Sequence, residues 1–336
     1  MKSIEFTSDE GGAILLVDQR LLPHEKKILI IKSNSELIAA IQSLAVRGAP
    51  ALGVAGALGV GLIALRSEQN GWSRQQISQA LVDLRSARPT AVNLAWGVDQ
   101  VSPLIASGSK LVLEAAMAIS QADGLANRAM SKLGAAYLLE KCGQKRLRIL
   151  THCNTGALAT SQWGTALGVI TELHQQGYIK EVFADETRPL LQGSRLTAWE
   201  LKELGIEYRI LPDGAAASAL FAGLVDAVVI GADRIARNGD TANKIGSLGL
   251  AIAAQAANVP FLVIAPESTI DRSIANGSQI EIEFRADSEV THFAGLPVAP
   301  VGAKSYNPAF DVTLSKFITA IITEKQLYYV SEGVEL

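Results

Sequence analysis

Three short stretches in the second half of the chain concentrate groups that could do chemistry. The first is Thr151-His152-Cys153-Asn154-Thr155-Gly156, which follows the mostly apolar run Leu147–Leu150. A cysteine leaving a buried strand near a helix N-terminus has its thiolate favoured by the helix dipole, which suits a general base or nucleophile. The plainer alternative is a small buried hydrophobe, the commoner fate of an intracellular cysteine. The second stretch is Asp185-Glu186-Thr187-Arg188-Pro189, followed by Leu191-Gln192-Gly193. Charged loops are ordinarily solvated, but Gln192 could hydrogen-bond a sugar hydroxyl. The third joins Asp233 to Asn243-Lys244. An aspartate facing a dry pocket can stay protonated and serve as a general acid, whereas its plain role is capping or a salt bridge to Arg234 or Arg237. Lys244 could hold a phosphate as a point charge. In the first half, Arg47-Gly48-Ala49-Pro50 reads either as an anion cradle of exposed N–H groups or as an ordinary turn between helices.

The elements around these stretches give them a common placement. Ala227-Val228-Val229-Ile230 is short, wholly apolar and rich in β-branched residues, the signature of a strand buried on both faces. Leu147–Thr151, Val182–Ala184, Tyr208–Leu211 and Phe261–Ile264 are further short, mostly apolar runs, with helical stretches between them. Such alternation predicts a doubly wound parallel sheet, and ligands of open α/β sheets bind outside the carboxyl ends of the strands. Each chemical stretch lies just past such a strand. A loop containing Asn238-Gly239 is expected between Asp233 and Asn243-Lys244, with a helix from about Ser247 to Ala257.

Before residue 143 the pattern differs. Residues 1–32 read as two or three short strands, and residues 35–142 as helices throughout. One helix runs over 35–46, another over 73–87 and is stopped at Arg88-Pro89, a third begins at Thr90 with that residue as cap, and a long one spans about 110–140. The expected fold class is α/β: a small, mostly helical N-terminal domain with a few leading strands (1–142) and a Rossmann-like parallel-sheet domain (143–336).

Bulk properties exclude several function classes. The 336 residues carry a net charge of −3, with 49% hydrophobic and 19% charged residues. That balance fits a compact globular chain and argues against nucleic acid or an anionic membrane as partner. The apolar stretch Ala49–Leu65 is glycine-rich and reads as a buried helix rather than a membrane span. No apolar signal core follows Met1, so cytoplasm is the expected location. Two cysteines cannot build a disulfide framework, and neither they nor the histidines have metal-ligand spacing. His152 and Cys153 are adjacent, but neighbours in an extended strand face opposite ways, which argues against joint chelation. Gly164 and Gly168 lack the spacing of a dinucleotide fingerprint and no phosphate-binding P-loop occurs, so no cofactor is expected.

Five motifs in order resemble the methylthioribose-1-phosphate isomerase family: Ala45–Gly53 (AVRGAPALG), Arg88–Leu94 (RPTAVNL), Thr151–Gly156 (THCNTG), Asp185–Pro189 with Leu191–Gly193 (DETRP, LQG), and Gly231–Arg234 with Ala242–Gly246 (GADR, ANKIG). The wider group includes ribose-1,5-bisphosphate isomerases and regulatory subunits of the exchange factor for translation initiation factor 2. The resemblance implies a homodimer that converts 5-methylthioribose 1-phosphate to 5-methylthioribulose 1-phosphate in methionine salvage, without metal or cofactor. It implies Cys153 and Asp233 as the catalytic pair. It implies Arg47, Gly48, Ala49, Arg88, Gln192, Asn243 and Lys244 as the substrate-binding set. Such chemistry wants a water-poor pocket, so closure between the domains is expected. Two alternatives remain open here. A ribose-1,5-bisphosphate isomerase would want extra basic groups for its second phosphate. A non-catalytic subunit binding protein partners would have no use for the thiol and acid that this chain retains.

Overall fold

The computed structural model describes residues 1–333 and 335–336. The chain forms two compact units, Met1–Lys132 with Asn154–Val169, and Leu133–Cys153 with Ile170–Leu336. The units therefore do not part at the single cut expected between 142 and 143. The reason is mechanical. The change of pattern at Gly143 marks the end of a 34-residue helix, Ser109–Cys142, roughly 50 Å long, and so stiff an element extends past the packing it starts in.

In the first unit, β1 (Ile4–Thr7), β2 (Ala13–Val17) and β3 (Ile28–Ile31) form an antiparallel sheet. Helix α1 (Asn34–Gln42) starts on a reciprocal Ser33–Glu36 capping box, α2 spans Ala49–Asn70, and α3 (Arg74–Arg85) starts on the Ser73–Gln76 box. Helix α4 covers Val92–Val101 with Ala91 at its N-cap, so Thr90 is not the cap that its residue type suggested. The start of α5 (Ser109–Cys142) completes the unit.

Helix α2 is the core. Every residue from Ala51 to Ala64 is buried, as expected for a helix apolar all round. Its length and composition would allow a membrane crossing, but most of it is enclosed by protein. Glycine makes the close packing possible. A Cβ on Gly97 would stand 2.0 Å from the Gly53 carbonyl oxygen, and one on Gly56 would stand 2.6 Å from that of Leu94, so α2 and α4 meet backbone to backbone.

In the second unit the strands follow in order: β4 (Leu147–Thr151), β5 (Ile179–Asp185), β6 (Tyr208–Leu211), β7 (Ala227–Ile230), β8 (Arg234–Ala236), β9 (Thr241–Lys244), β10 (Phe261–Ile264), β11 (Ile270–Asp271), β12 (His292–Phe293), β13 (Leu296–Pro297), β14 (Phe310–Thr313), β15 (Ala320–Ile322) and β16 (Leu327–Tyr328). Helices α6 (Ala166–Gln175), α7 (Ala198–Glu203), α8 (Ala216–Phe221) and α9 (Ser247–Ala256) lie between them in the chain. The main sheet runs β16-β15-β10-β7-β4-β5-β6, parallel except for the β16 edge. All residues of β7 and β10 are buried, which is why these strands read as unbroken apolar runs.

A second sheet, β11-β8-β9-β14, was not expected. Where a polar loop was read, β8 and β9 pair as an antiparallel hairpin with Asn238 and Gly239 at its turn, and Asn243 and Lys244 sit on β9. β9 is buried along its whole length despite its polar sequence, because β8 and β14 flank it and take up its backbone groups.

Candidate active site

The topology of the second unit singles out one place on the sheet. The chain steps from β4 outward to β5 and β6, then returns to β7 on the other side of β4. The order reverses between β4 and β7, and at such a switch point the loops diverge and leave a crevice beyond the carboxyl ends. The loop leaving β4 carries His152 and Cys153, and the loop leaving β7 carries Asp233.

Cys153 is buried and its φ is +65°, the left-handed region. Its N–H donates to Thr187 Oγ1 at 2.9 Å, and its carbonyl accepts from Thr197 Oγ1 at 2.6 Å. The sequence suggested a helix N-terminus near the thiol. The chain instead runs through a loop with one short turn at Ala157–Ala159 before α6 begins at Ala166. What grips Cys153 is the loop after β5. Thr187, itself at φ +62°, donates its N–H to Asp213 Oδ1 at 2.7 Å, and the adjacent Arg188 N–H reaches Asp213 Oδ2 at 2.7 Å. Gln192 then opens a π-helical turn, Gly193–Thr197, that leads into α7. Gly193 admits no side chain there, since a Cβ would fall 1.6 Å from the Asp185 carbonyl oxygen. Gln192 is buried and its Oε1 has no hydrogen-bond partner among the described residues. An unpaired buried amide oxygen is costly, so the position suits a ligand hydroxyl or N–H.

His152, weighed from the sequence only as a joint ligand with Cys153, has two hydrogen-bond partners. Its Nε2 lies 2.9 Å from the Ile245 carbonyl and its Nδ1 2.9 Å from Asp185 Oδ2. A carbonyl can only accept, so Nε2 carries a proton and the pair with Asp185 holds one more between them. Burial disfavours the imidazolium, but the hydrogen bond and charge of Asp185 outweigh it and raise the His152 pKa. Burial likewise pushes the Asp185 carboxyl up. His152, Asp185 and Asp213 present ligand atoms all within 4.8 Å of one another. Both ring nitrogens of His152 and both oxygens of Asp213 take part in hydrogen bonds, which makes the cluster a scaffold for the loops around Cys153. Its effect is to tie the Cys153 loop to the residue after Lys244. The ring also lies against Gly246, where a Cβ would come 2.8 Å from Cε1.

Asp233 is half-buried, and its N–H donates to the Ala242 carbonyl at 2.9 Å, so the β8–β9 hairpin brings it beside Asn243. The Asn243 amide donates to Ser247 Oγ at 2.9 Å, and the buried Lys244 Nζ stands 5.2 Å from the Phe310 ring centroid. Asp311, raised by burial against the pull of its donors, accepts from the N–H groups of Gly246 and Leu248 and fixes the start of α9.

The remaining candidates belong to the first unit. Arg47 precedes α2; its Nη2 donates to the Asn154 carbonyl at 3.0 Å and to Asn154 Oδ1, and its Nε to Gln19 Oε1 at 3.3 Å. Gly48 has φ +98°, and a Cβ there would meet the Ala159 carbonyl oxygen at 2.5 Å, so only glycine fits. Ala49 and Pro50 form the first turn of α2, and Arg88 lies in the α3–α4 link. Asn154, which anchors Arg47, is the residue next to Cys153 in the chain.

Fold and site together describe a helical unit and a Rossmann-like unit whose polar residues gather on the loops beyond β4, β5 and β7. The chain belongs to the initiation factor 2 subunit family, whose model matches residues 45–328. It is 49% identical over 316 residues to a probable bifunctional methylthioribose-1-phosphate isomerase/methylthioribulose-1-phosphate dehydratase of Nocardia farcinica, covering 94% of this chain but only 57% of that longer protein. It is 46% identical to the methylthioribose-1-phosphate isomerase of Acetivibrio thermocellus, covering 98% of this chain and 97% of the relative. The crystal structure of 5-methylthioribose 1-phosphate isomerase from Pyrococcus horikoshii superposes with a TM-score of 0.89 at 37% identity, covering 99% of this chain and 94% of the other.

Proposed function

We propose that this protein is an aldose–ketose isomerase that converts 5-methylthioribose 1-phosphate to 5-methylthioribulose 1-phosphate, the methionine-salvage reaction. The observation that carries the reading is the switch point: the loops leaving β4 and β7 are the ones bearing a thiol and a carboxyl. The names of near-full-length relatives support the substrate. Cys153 and Asp233 are the proposed catalytic pair, and Arg47, Gly48, Ala49, Arg88, Gln192, Asn243 and Lys244 the proposed substrate contacts.

A sugar phosphorylated at C1 cannot open its ring as a free hemiacetal does, so opening needs an acid at the ring oxygen, the role proposed for Asp233. Isomerisation then moves hydrogen from C2 to C1. In one route the Cys153 thiolate removes the C2 proton and the enol-type intermediate is reprotonated at C1. In the other a hydride passes directly from C2 to C1, and the pair handles hydroxyl protons only. The Gln192 amide suits a sugar hydroxyl, and the ammonium of Lys244 suits the phosphate. The reading takes the protein to be cytoplasmic, and a homodimer as the resemblance implies; gel filtration checks the dimer.

Ketose formation from 5-methylthioribose 1-phosphate, without added cofactor, tests the function. Cys153→Ala and Asp233→Asn are each expected to lower kcat by about 100-fold or more while the fold is kept. Turnover of ribose 1,5-bisphosphate alone would move the assignment to the sister reaction, and no turnover of either sugar would overturn the enzymatic reading.

A further inference from the structure

We propose that the hydroxyls of Thr187 and Thr197 are positioning groups that hold Cys153 in its left-handed backbone conformation and so fix where the thiol points. The inference rests on Cys153 being the reacting thiol. A non-glycine residue at positive φ carries a conformational cost and persists only where its surroundings over-determine it. Here they do. Thr187 Oγ1 accepts the Cys153 N–H and Thr197 Oγ1 donates to the Cys153 carbonyl, so one peptide unit on each side of the α-carbon is gripped. Neither hydroxyl is exposed to solvent competition, since both threonines are buried.

The direction of the Thr187 hydroxyl is also set. It donates its only proton to the Asp185 carbonyl at 3.1 Å, leaving a lone pair facing the Cys153 N–H. Thr187 itself is at φ +62°, an outlier for a β-branched residue. The Asp213 carboxylate holds its N–H, and its carbonyl accepts from Leu191 N at 2.8 Å. Two strained residues thus brace one another across loops 34 positions apart in the chain. A hydrogen bond serving stability alone needs strain at neither end. With the grip released, Cys153 relaxes toward ordinary φ and swings its Sγ away from its present direction.

The test compares Thr187→Val, which keeps the branched shape but removes the acceptor, with Thr187→Ser, which keeps the hydroxyl. Thr187→Val is expected to lower kcat about 10- to 100-fold with KM changed by less than about threefold, and Thr187→Ser to recover most of the loss. The second readout is the pH–rate profile of iodoacetamide labelling, followed by mass spectrometry, with Cys142 in the same molecule as reference. Thr187→Val should shift the Cys153 profile and leave that of Cys142 in place. If Thr187→Val melts below the assay temperature, Thr197→Val takes its place with the same expectations. An unchanged labelling profile overturns the proposal whether or not kcat falls, because a kcat loss alone would reflect general loosening. Cys153→Ala run in parallel separates the failures: turnover surviving in that variant sinks the catalytic reading, while the labelling profiles still decide whether the threonines set the thiol's disposition.

Discussion

Asp226 offers a perturbation whose size follows from the structure. It stands just before β7 and clamps the foot of β4, the strand that delivers His152 and Cys153 at its other end. Lys145 Nζ reaches Oδ1 at 2.8 Å, the Arg148 N–H reaches Oδ2 at 2.8 Å, and the Arg148 guanidinium adds contacts at 3.1 and 3.2 Å. The carboxylate is 9% exposed. Burial alone would raise its pKa, but these donors outweigh burial and bring it from 3.8 down to about 2. A folded pKa of about 2 against an ordinary 3.8 corresponds to about 2 kcal/mol of stability at neutral pH. The sign follows from the depressed value. The contribution is complete above the unfolded pKa and is lost as pH falls through the folded one, so roughly half survives at pH 3. Asp226→Asn mimics the protonated form in shape and charge. It should therefore lose about 2 kcal/mol at pH 7 and about half of that at pH 3, read from urea midpoints with the slope unchanged. A deficit equal at the two pH values would refute the electrostatic account and point to lost packing instead. A deficit below about 0.5 kcal/mol at pH 7 would show the clamp to be no better than a surface ion pair.

Two other perturbations test the scaffold behind the thiol. The His152 ring should titrate with a midpoint above the ordinary 6.5 when followed by NMR, and Asp185→Asn should bring that midpoint down. Because the folded value is raised, the pair's stabilisation is complete below pH 6.5 and fades as pH climbs through the folded pKa; a His152 midpoint at or below 6.5 would contradict the shared buried proton. Gly193→Ala drives a methyl group to 1.6 Å from the Asp185 carbonyl oxygen, so the π turn must shift. A fall of several degrees in Tm with a drop in kcat is expected, and a variant with wild-type melting and turnover would show that the turn yields freely.

What could be read from the sequence follows from which strands are buried on both faces. β7 and β10 show as apolar runs because no residue in them meets water. Residues just past such runs, Cys153 and Asp233 among them, could be placed at the carboxyl edge without coordinates. β9 could not be read this way. Thr241-Ala242-Asn243-Lys244 has neither alternation nor an apolar run, and it is a strand only because β8 and β14 pair with it. The partners of His152 were hidden for a different reason. Asp185 is 33 residues away and Ile245 is 93 away, and no local pattern encodes contacts of that span. The assumption that His152 and Cys153 face opposite ways also fails in its premise, since Cys153 has left extended geometry for φ +65°. Alternation is a property of strands, and the thiol sits one step beyond where that rule applies. The side chain's identity was therefore legible and its direction was not. That direction depends on two threonine hydroxyls, and threonine in a charged loop carries no signal that separates a clamp from a solvated surface residue.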